Sequence, residues 1–315
     1  MPRVQKPLFT LAILTSGGDS PGMNTAIWAA TQQLEDTGWR VLGVRGGFAG
    51  ILRGDFLELN ASECLKFARY GGTFLGTSRD PDFAQKIPAA LLQLKKAGVT
   101  HLLVLGGNGS LKGAAVLEQA GFSVVGLPAT IDNDVAGSED SIGFDTAANY
   151  GLQILDQFRD TLEALPRLCA LETLGGDTGF LADRIGRVGG ADAVLVPEVD
   201  VRGNVLAAVA SDAIQRRGFA MIVASEGVPN LESKLLELEK QLDLRLRFAR
   251  PSHSMRGGKP SAHDRNLAYD LATAGVNALA RGQTGMIAWK NGAIRLVAFS
   301  SIPAKKRFKR TTLGG

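Results

Sequence analysis

The 315-residue chain is 45% apolar and 21% charged and contains 39 glycines, which fits a soluble globular protein with one large or two medium domains. No apolar run approaches the roughly 18 residues that a membrane-spanning helix needs, so the sequence predicts no such helix. The net charge of +4 fits anionic small molecules at least as well as nucleic acid. Cys64 and Cys169 lack metal-ligand spacing, which indicates a reduced, cytoplasmic compartment and thiols that serve only in packing.

The first motif is a glycine-rich loop between a predicted strand and a predicted helix. The pattern predicts a strand at residues 11–14, a loop at 15–24 with the sequence TSGGDSPGMN, and a helix to about residue 35. This order directs backbone N–H groups and a helix dipole at a phosphate. The loop is neither a Walker loop nor GxGxxG, so a tight turn without a ligand is an equal alternative.

Two further loops of small residues follow. Residues 40–44 form a predicted strand, and the loop at 71–79 ends in Arg79, whose forked and permanently charged guanidinium suits phosphoryl oxygens. A plain surface arginine is the alternative. Residues 101–105 form another predicted strand, followed by the loop GGNGS at 106–110 and a helix to about residue 119. This second unit of strand, glycine loop and helix strengthens the phosphate interpretation.

The apolar run at 122–127 predicts a buried strand that delivers the loop PATIDND at 128–134. Asp132 is the candidate general base, because open α/β sheets place their ligands at the carboxyl ends of parallel strands. The alternative is a polar turn with Asx-type hydrogen bonds. Asp134 stands two residues further on and, with the chain expected to be extended here, is a candidate ligand for magnesium or its waters.

The second half of the chain predicts another α/β lobe. Helices are predicted at 145–164, 231–241 and 263–280, and strands at 168–171, 193–196 and 219–224. A hairpin is predicted from 286 to 299 around Asn291-Gly292. The basic stretch at 305–310 favours a solvated tail over a nucleic-acid contact, because no stacking aromatics are interleaved upstream.

Taken together, these motifs resemble the bacterial 6-phosphofructokinase family, in the family's order and over nearly the whole chain. The matching segments are 17–24, 71–79, 106–110, 128–134, Glu226 and 253–258. The resemblance implies an α/β fold of two Rossmann-like lobes with largely parallel sheets. The ATP-binding lobe is expected at 1–141 plus 257–304, and the sugar-phosphate lobe at 142–256 plus 305–315. It also implies a homotetramer that transfers the γ-phosphoryl group of ATP to O1 of fructose 6-phosphate in glycolysis, in the cytoplasm, with no nucleic acid or membrane as partner.

The resemblance also implies a role for each matching position. Asp132 is the base and Thr130 its catalytic neighbour, while Asp134 and Asn108 occupy the magnesium positions. The ATP-site positions are Gly18, Arg79, Gly107, Asn108, Gly109, Ser110 and Gly113. The sugar-phosphate positions are Thr130, Asp132, Arg167, Leu174, Gly175, Gly176, Glu226, Arg247, His253 and Arg256, of which Arg167 and Arg247 match arginines supplied by a neighbouring subunit.

The phosphoryl donor is indicated by two small residues. Pyrophosphate-using relatives carry an aspartate where this chain has Gly109 and a lysine where it has Ala129. A carboxylate at position 109 would crowd and repel the α-phosphate of a nucleotide. The resemblance therefore favours ATP over pyrophosphate.

Three departures from the family pattern concern charge. Asn108 replaces the aspartate that holds magnesium, and Gly176 replaces an arginine beside the reacting phosphoryl group. Trp28 and Gln32 replace two effector-binding arginines, while Arg159 keeps one contact there. Two hypotheses follow: an ATP-dependent 6-phosphofructokinase that is slow and weakly regulated, or an impaired sugar-phosphate-binding member that assembles with or regulates an active relative. A different phosphosugar acceptor is a weaker third.

Overall fold

The computed structural model describes residues 9–165, 167–306 and 308, and its chain forms two compact units. The first unit runs to Thr130 and also contains Asp134–Gly143 and Arg256–Lys306. The second contains Ile131–Asn133, Phe144–Met255 and Phe308. The lobe boundaries expected from the resemblance stay a prediction.

Strands and helices alternate through most of the described chain. The strands are β1 Thr10–Thr15, β2 Arg40–Val44, β3 Phe56–Glu58, β4 His101–Gly106, β5 Ser123–Pro128, β6 Arg167–Thr173, β7 Ala193–Leu195, β8 Phe219–Ser225, β9 Leu246–Ala249, β10 Gly285–Lys290 and β11 Ala293–Val297. The α-helices are α1 Met23–Gln33, α2 Gly47–Arg53, α3 Ala61–Ala68, α4 Ile87–Lys96, α5 Asn108–Gln119, α6 Phe144–Leu162, α7 Phe180–Val188, α8 Gly203–Arg217, α9 Leu231–Leu242 and α10 Ala262–Ala280.

The first unit is built on a seven-stranded sheet in the order β11-β10-β5-β4-β1-β2-β3. Its central strands are parallel, and the two edge strands β3 and β11 pair antiparallel. Side chains along β1 alternate between two cores: Leu11 and Ile13 join one, and Ala12 and Leu14 join the other. Both faces are therefore covered, as parallel sheets require.

The second unit has a four-stranded parallel sheet in the order β7-β8-β6-β9. Along β6, Cys169 and Leu171 enter one core while Leu168 and Ala170 enter the other. Burial raises the pKa of the Cys169 thiol to about 12, so this side chain packs as a neutral apolar group. The predicted fold class of largely parallel α/β lobes is confirmed.

The predicted carboxyl-terminal region needs two corrections. The second hairpin strand ends at Val297, and Phe299 is buried in a separate 3₁₀ turn at Phe299–Ser301. The tail is not simply solvated, because Lys306 is half-buried and Phe308 makes an edge-to-face contact with Phe180 at 5.3 Å between ring centroids. The remaining basic residues of the tail, at 307 and 309–310, lie outside the described residues.

None of the described helices is long and apolar enough to cross a membrane.

Candidate active site

Three loops of small residues meet at the carboxyl ends of β1 and β4. These strands are neighbours, with Thr15 opposite Leu105. The Gly17 N–H donates to the Ser78 carbonyl at 3.1 Å, and the Thr77 hydroxyl donates to the Gly17 carbonyl at 2.9 Å. A Cβ placed on Gly17 would lie 3.4 Å from Ser110 Oγ. The fold therefore brings together loops that lie some 90 residues apart in sequence.

The amino end of α5 forms one wall of this loop cluster. The helix begins at Asn108, and a Cβ on the preceding Gly107 would lie 3.6 Å from the Cβ of Thr130. A Cβ on Gly109 would meet nothing within 4 Å, so its surroundings are open. Packing accounts for the glycine at position 113, because a Cβ there would lie 2.7 Å from the ring of Phe48.

Arg256 lies against the first loop. A Cβ placed on Gly18 would come within 2.5 Å of Arg256 Nη1, so the guanidinium lies close to the loop backbone and would have to shift for a larger residue. The structure thus places Arg256 beside a loop expected to contact ATP, although the resemblance assigns it to the sugar phosphate. Arg79 ends the loop whose Ser78 carbonyl accepts from Gly17 and Ser16.

The magnesium positions Asn108 and Asp134 are in direct contact. Asn108 Nδ2 donates to Asp134 Oδ2 at 2.7 Å and also lies 3.4 Å from the Asp134 carbonyl oxygen. The expected extended chain before Asp134 is wrong, because Asn133 adopts φ of +50° and the chain turns there. Asparagine tolerates this left-handed region better than most residues because its short side chain can hydrogen-bond locally.

A lysine that the sequence predicted to be solvated lies in the same cluster. Lys306 Nζ donates to the Glu139 carbonyl at 3.1 Å. Burial lowers the pKa of Lys306 to about 8, and the carboxylates of Asp140, Asp134 and Glu139 oppose that shift. Asp140 also contacts His263, at 2.6 Å from its Oδ2 to Nε2. No local sequence signal marks Lys306, because its position depends on the return of the chain after β11.

These residues fit a magnesium ion that arrives with phosphates. Among residues 9–165, 167–306 and 308, no three His, Cys, Asp or Glu side chains form a metal-binding group. Magnesium usually keeps several waters and needs only one or two protein carboxylates beside substrate phosphates. Asp134 can provide one carboxylate, and Asn108 can provide a neutral amide oxygen only by giving up its present orientation.

In the second unit, Glu226 stabilises the turn after β6. Its Oε1 accepts from the N–H groups of Gly175 at 3.2 Å and Gly176 at 2.9 Å. Leu174 is buried, and its N–H points to the sulfur of Met255 at 3.4 Å. A Cβ placed on Gly176 would lie 3.9 Å from Asp132 Oδ2. The structure therefore brings Glu226, the turn at 174–176 and the candidate base Asp132 together.

Arg167 and Arg247 lie towards the amino ends of their strands, whereas Glu226 lies beyond the carboxyl ends of the strands of the same sheet. Arg167 is the first residue of β6, whereas the turn held by Glu226 follows the last residue, Thr173. Seven strand residues span about 20 Å at about 3.3 Å per residue. Arg247 lies opposite Cys169 in the β6–β9 register. Within one chain the second unit thus does not gather these arginines around Glu226, and His253 is exposed beside Ser252.

One of the two effector positions, Trp28, lies beside an open groove. Trp28 packs against Tyr269 with 5.7 Å between ring centroids, and Gln32 is exposed. Trp28 borders a groove of about 820 Å³ that also carries three basic side chains, Lys66, Arg69 and Arg265. In the second unit, the guanidinium of Arg159 donates to the Gly189 carbonyl.

Comparison with known proteins gives the family. The sequence matches the family Phosphofructokinase over residues 10–279. It is 39% identical over 284 residues to ATP-dependent 6-phosphofructokinase 1 of Thermus thermophilus, covering 88% of each chain. It is 36% identical over 288 residues to ATP-dependent 6-phosphofructokinase of Lactobacillus delbrueckii subsp. bulgaricus, covering 90% of each chain. The chain belongs to the phosphofructokinase family.

Solved structures agree on the fold. Phosphofructokinase from Saccharomyces cerevisiae superposes with a TM-score of 0.88 at 27% identity, over 93% of this chain and 45% of the yeast chain. A pyrophosphate-dependent phosphofructokinase from Marinobacter aquaeolei gives a TM-score of 0.87 at 18% identity, over 96% of this chain and 86% of that one. At such low identity the second comparison bears on the fold alone.

Proposed function

We propose that the protein transfers the γ-phosphoryl group of ATP to O1 of fructose 6-phosphate, giving fructose 1,6-bisphosphate. The main support is that the three small-residue loops lie together at the amino end of α5. This arrangement suits a polyphosphate, because backbone N–H groups and a helix amino end favour anions. Relatives named ATP-dependent 6-phosphofructokinase, at 36–39% identity over most of their length, support the same reaction.

Each group of residues has its own task in this reaction. Asp132 accepts the proton of the attacking sugar hydroxyl, and Thr130 contacts the same reacting region. The loop backbones and Arg79 bind the nucleotide phosphates. A magnesium ion, when bound with ATP at Asp134, would neutralise charge on the terminal phosphates. The turn at Gly175 and Gly176, held by Glu226, positions the sugar phosphate beside Asp132.

The open space at Gly109 supports ATP as the donor. A Cβ there would meet nothing within 4 Å, so no protein atom crowds the side of α5 where a nucleotide α-phosphate is expected. An aspartate at this position would bring a negative charge towards a nucleotide α-phosphate. Gly109→Asp should therefore weaken ATP binding while leaving the binding of fructose 6-phosphate intact.

A second candidate function rests on Asn108 and Gly176. These residues leave the reaction centre without a carboxylate and without a guanidinium that the family pattern supplies. A member that binds sugar phosphate but turns over poorly could act by assembling with an active relative. We expect turnover well below the roughly 1–100 per second typical of kinases.

One experiment separates the two candidates. ADP release is followed in a coupled assay with ATP, magnesium and fructose 6-phosphate, and sugar-phosphate binding is measured in parallel by calorimetry. Measurable ADP release that requires fructose 6-phosphate supports the kinase. Tight binding without any turnover supports the regulatory role, and absence of both contradicts each candidate.

The positions of Arg167 and Arg247 support a homotetramer in which they reach a neighbouring subunit's site, with hetero-assembly as the variant that the second candidate requires. Arg247→Ala should weaken fructose 6-phosphate binding without changing ATP binding. Mixing Arg247→Ala with His253→Ala chains should restore some sites in hybrid assemblies. Failure of such mixtures to complement would indicate that each site is built within one chain.

A further inference from the structure

Lys306 is held in the acidic segment that follows the aspartate loop. Its ammonium donates to the Glu139 carbonyl at 3.1 Å, and the carboxylates of Asp140, Asp134 and Glu139 attract it. A half-buried ammonium loses hydration, which is costly unless nearby groups compensate. Three carboxylates and a carbonyl provide that compensation, so the position of this lysine is determined by the fold.

Asp134 connects this lysine to the amino end of α5. The same carboxylate accepts a hydrogen bond of 2.7 Å from Asn108, which is the first residue of the helix. The helix has 12 residues, and its first N–H groups lie at Gly109 and Ser110 within the loop cluster. An ammonium and a helix amino end in one place both favour a polyanion.

We propose that Lys306 is a further nucleotide-binding residue, whose ammonium contacts the terminal phosphates of the donor. This inference rests on the proposed function and names a residue of the same site. The negative charge of the Asp134 carboxylate would repel phosphates, and the ammonium of Lys306 reduces that repulsion. The proposal requires the ammonium to exchange the Glu139 carbonyl for a phosphate oxygen, which the flexible four-carbon stem of lysine favours.

The test is calorimetric and does not depend on turnover. ATP binding is measured with EDTA and again with magnesium for the wild type, Lys306→Met and Lys306→Arg. Lys306→Met keeps most of the apolar stem and removes the charge, whereas Lys306→Arg keeps the charge. The matched control is Lys305→Met, because Lys305 is the exposed neighbour. Fructose 6-phosphate binding and the melting temperature report on the fold.

We expect Lys306→Met to weaken metal-free ATP binding about tenfold, the lower range for a hydrogen bond to a charged group. The loss should be smaller with magnesium, because the ion carries part of the charge. Lys306→Arg should retain most of the affinity, and Lys305→Met should resemble the wild type.

Equal ATP affinities of wild type and Lys306→Met would overturn the inference and leave the kinase proposal standing. Tighter MgATP binding by Lys306→Met would also overturn it, because the lysine would then compete with the metal. A parallel loss of fructose 6-phosphate affinity and melting temperature would instead show a purely structural role. A wild type that binds fructose 6-phosphate but no nucleotide would overturn both the inference and the proposed donor.

Discussion

Positions 108 and 176 both lack a charge that the family pattern carries, yet their surroundings differ. At position 108 the amide donates to Asp134, and the ammonium of Lys306 partly offsets the negative charge of the same carboxylate. At position 176 the backbone N–H is held by Glu226, and a Cβ would face Asp132 at 3.9 Å. The residue at position 108 thus has a side-chain contact with the acidic segment, whereas position 176 has only contacts of its backbone.

The largest expected effect on turnover is that of removing the candidate base, Asp132. Asp132→Ala should lower turnover by about 10²–10⁴-fold, the usual contribution of a general base, because the sugar hydroxyl loses its proton acceptor. The rate is best measured in the Asn108→Asp background, where we expect more signal.

The control for that measurement is the melting temperature, which shows whether the Asp132→Ala protein is folded. A folded Asp132→Ala protein that keeps most of its turnover would assign the base to another residue.

Asn108→Asp should raise turnover by about 10²–10³-fold, the typical value of one preorganised electrostatic contact. The new carboxylate would lie at hydrogen-bonding distance from Asp134, so the pair needs a cation. We therefore expect added magnesium to raise the melting temperature of the variant more than that of the wild type.

A wild type that already turns over at the ordinary kinase rate would contradict this prediction, as would a slower Asn108→Asp. Either result would mean that the contacts of Asn108 and Lys306 already replace the missing carboxylate. Asn108 would then be a functional replacement for the carboxylate of the family pattern.

Gly176→Arg should raise turnover by less than about 10²-fold, because the gain of a guanidinium is offset by backbone strain. Gly176 has φ of +56°, where a side chain costs about 1–2 kcal/mol. Gly176→Ala is the matched control, since it carries the strain without the charge.

Equal turnover of the alanine and arginine variants would show that the turn at 176 does not aim a side chain at the reacting group. The double variant with Asn108→Asp should recover more than either change alone. Effects of groups acting on one charge need not add, so the kinetic cycle measures how far the two positions are coupled.

The smallest expected effect concerns β4, the strand that leads to Asn108. Burial lowers the pKa of His101, which packs between Trp39 and Phe9 at 4.8 Å and 5.2 Å between ring centroids. The unfolded chain therefore binds more protons, and the free energy of unfolding should fall as pH drops below about 6.5. The loss should level off below the folded-state pKa.

His101→Gln should remove this part of the pH dependence in chemical denaturation, whereas His253→Gln, at an exposed histidine, is the control. An unchanged pH profile in His101→Gln would assign the effect to other groups. The result also measures how much the burial of His101 in β4 contributes to the pH dependence of the free energy of unfolding.

The sequence alone was sufficient to predict the alternation of strands and helices and the positions of the glycine loops. Apolar runs such as Leu11 to Leu14 and the turn residues after them are local signals, because they depend on neighbours in the chain. The order of motifs also identified the family, which the comparisons confirmed.

Only the tertiary structure decided how the charges are paired. Lys306 reaches Glu139 because β10 and β11 return the chain to the first sheet, a contact across 167 residues. The Asn108–Asp134 hydrogen bond depends on the turn at Asn133, where a pattern of polar residues cannot distinguish an extended chain from a left-handed one. Partners of charged side chains are set by long-range packing, and apolar periodicity carries no information about them.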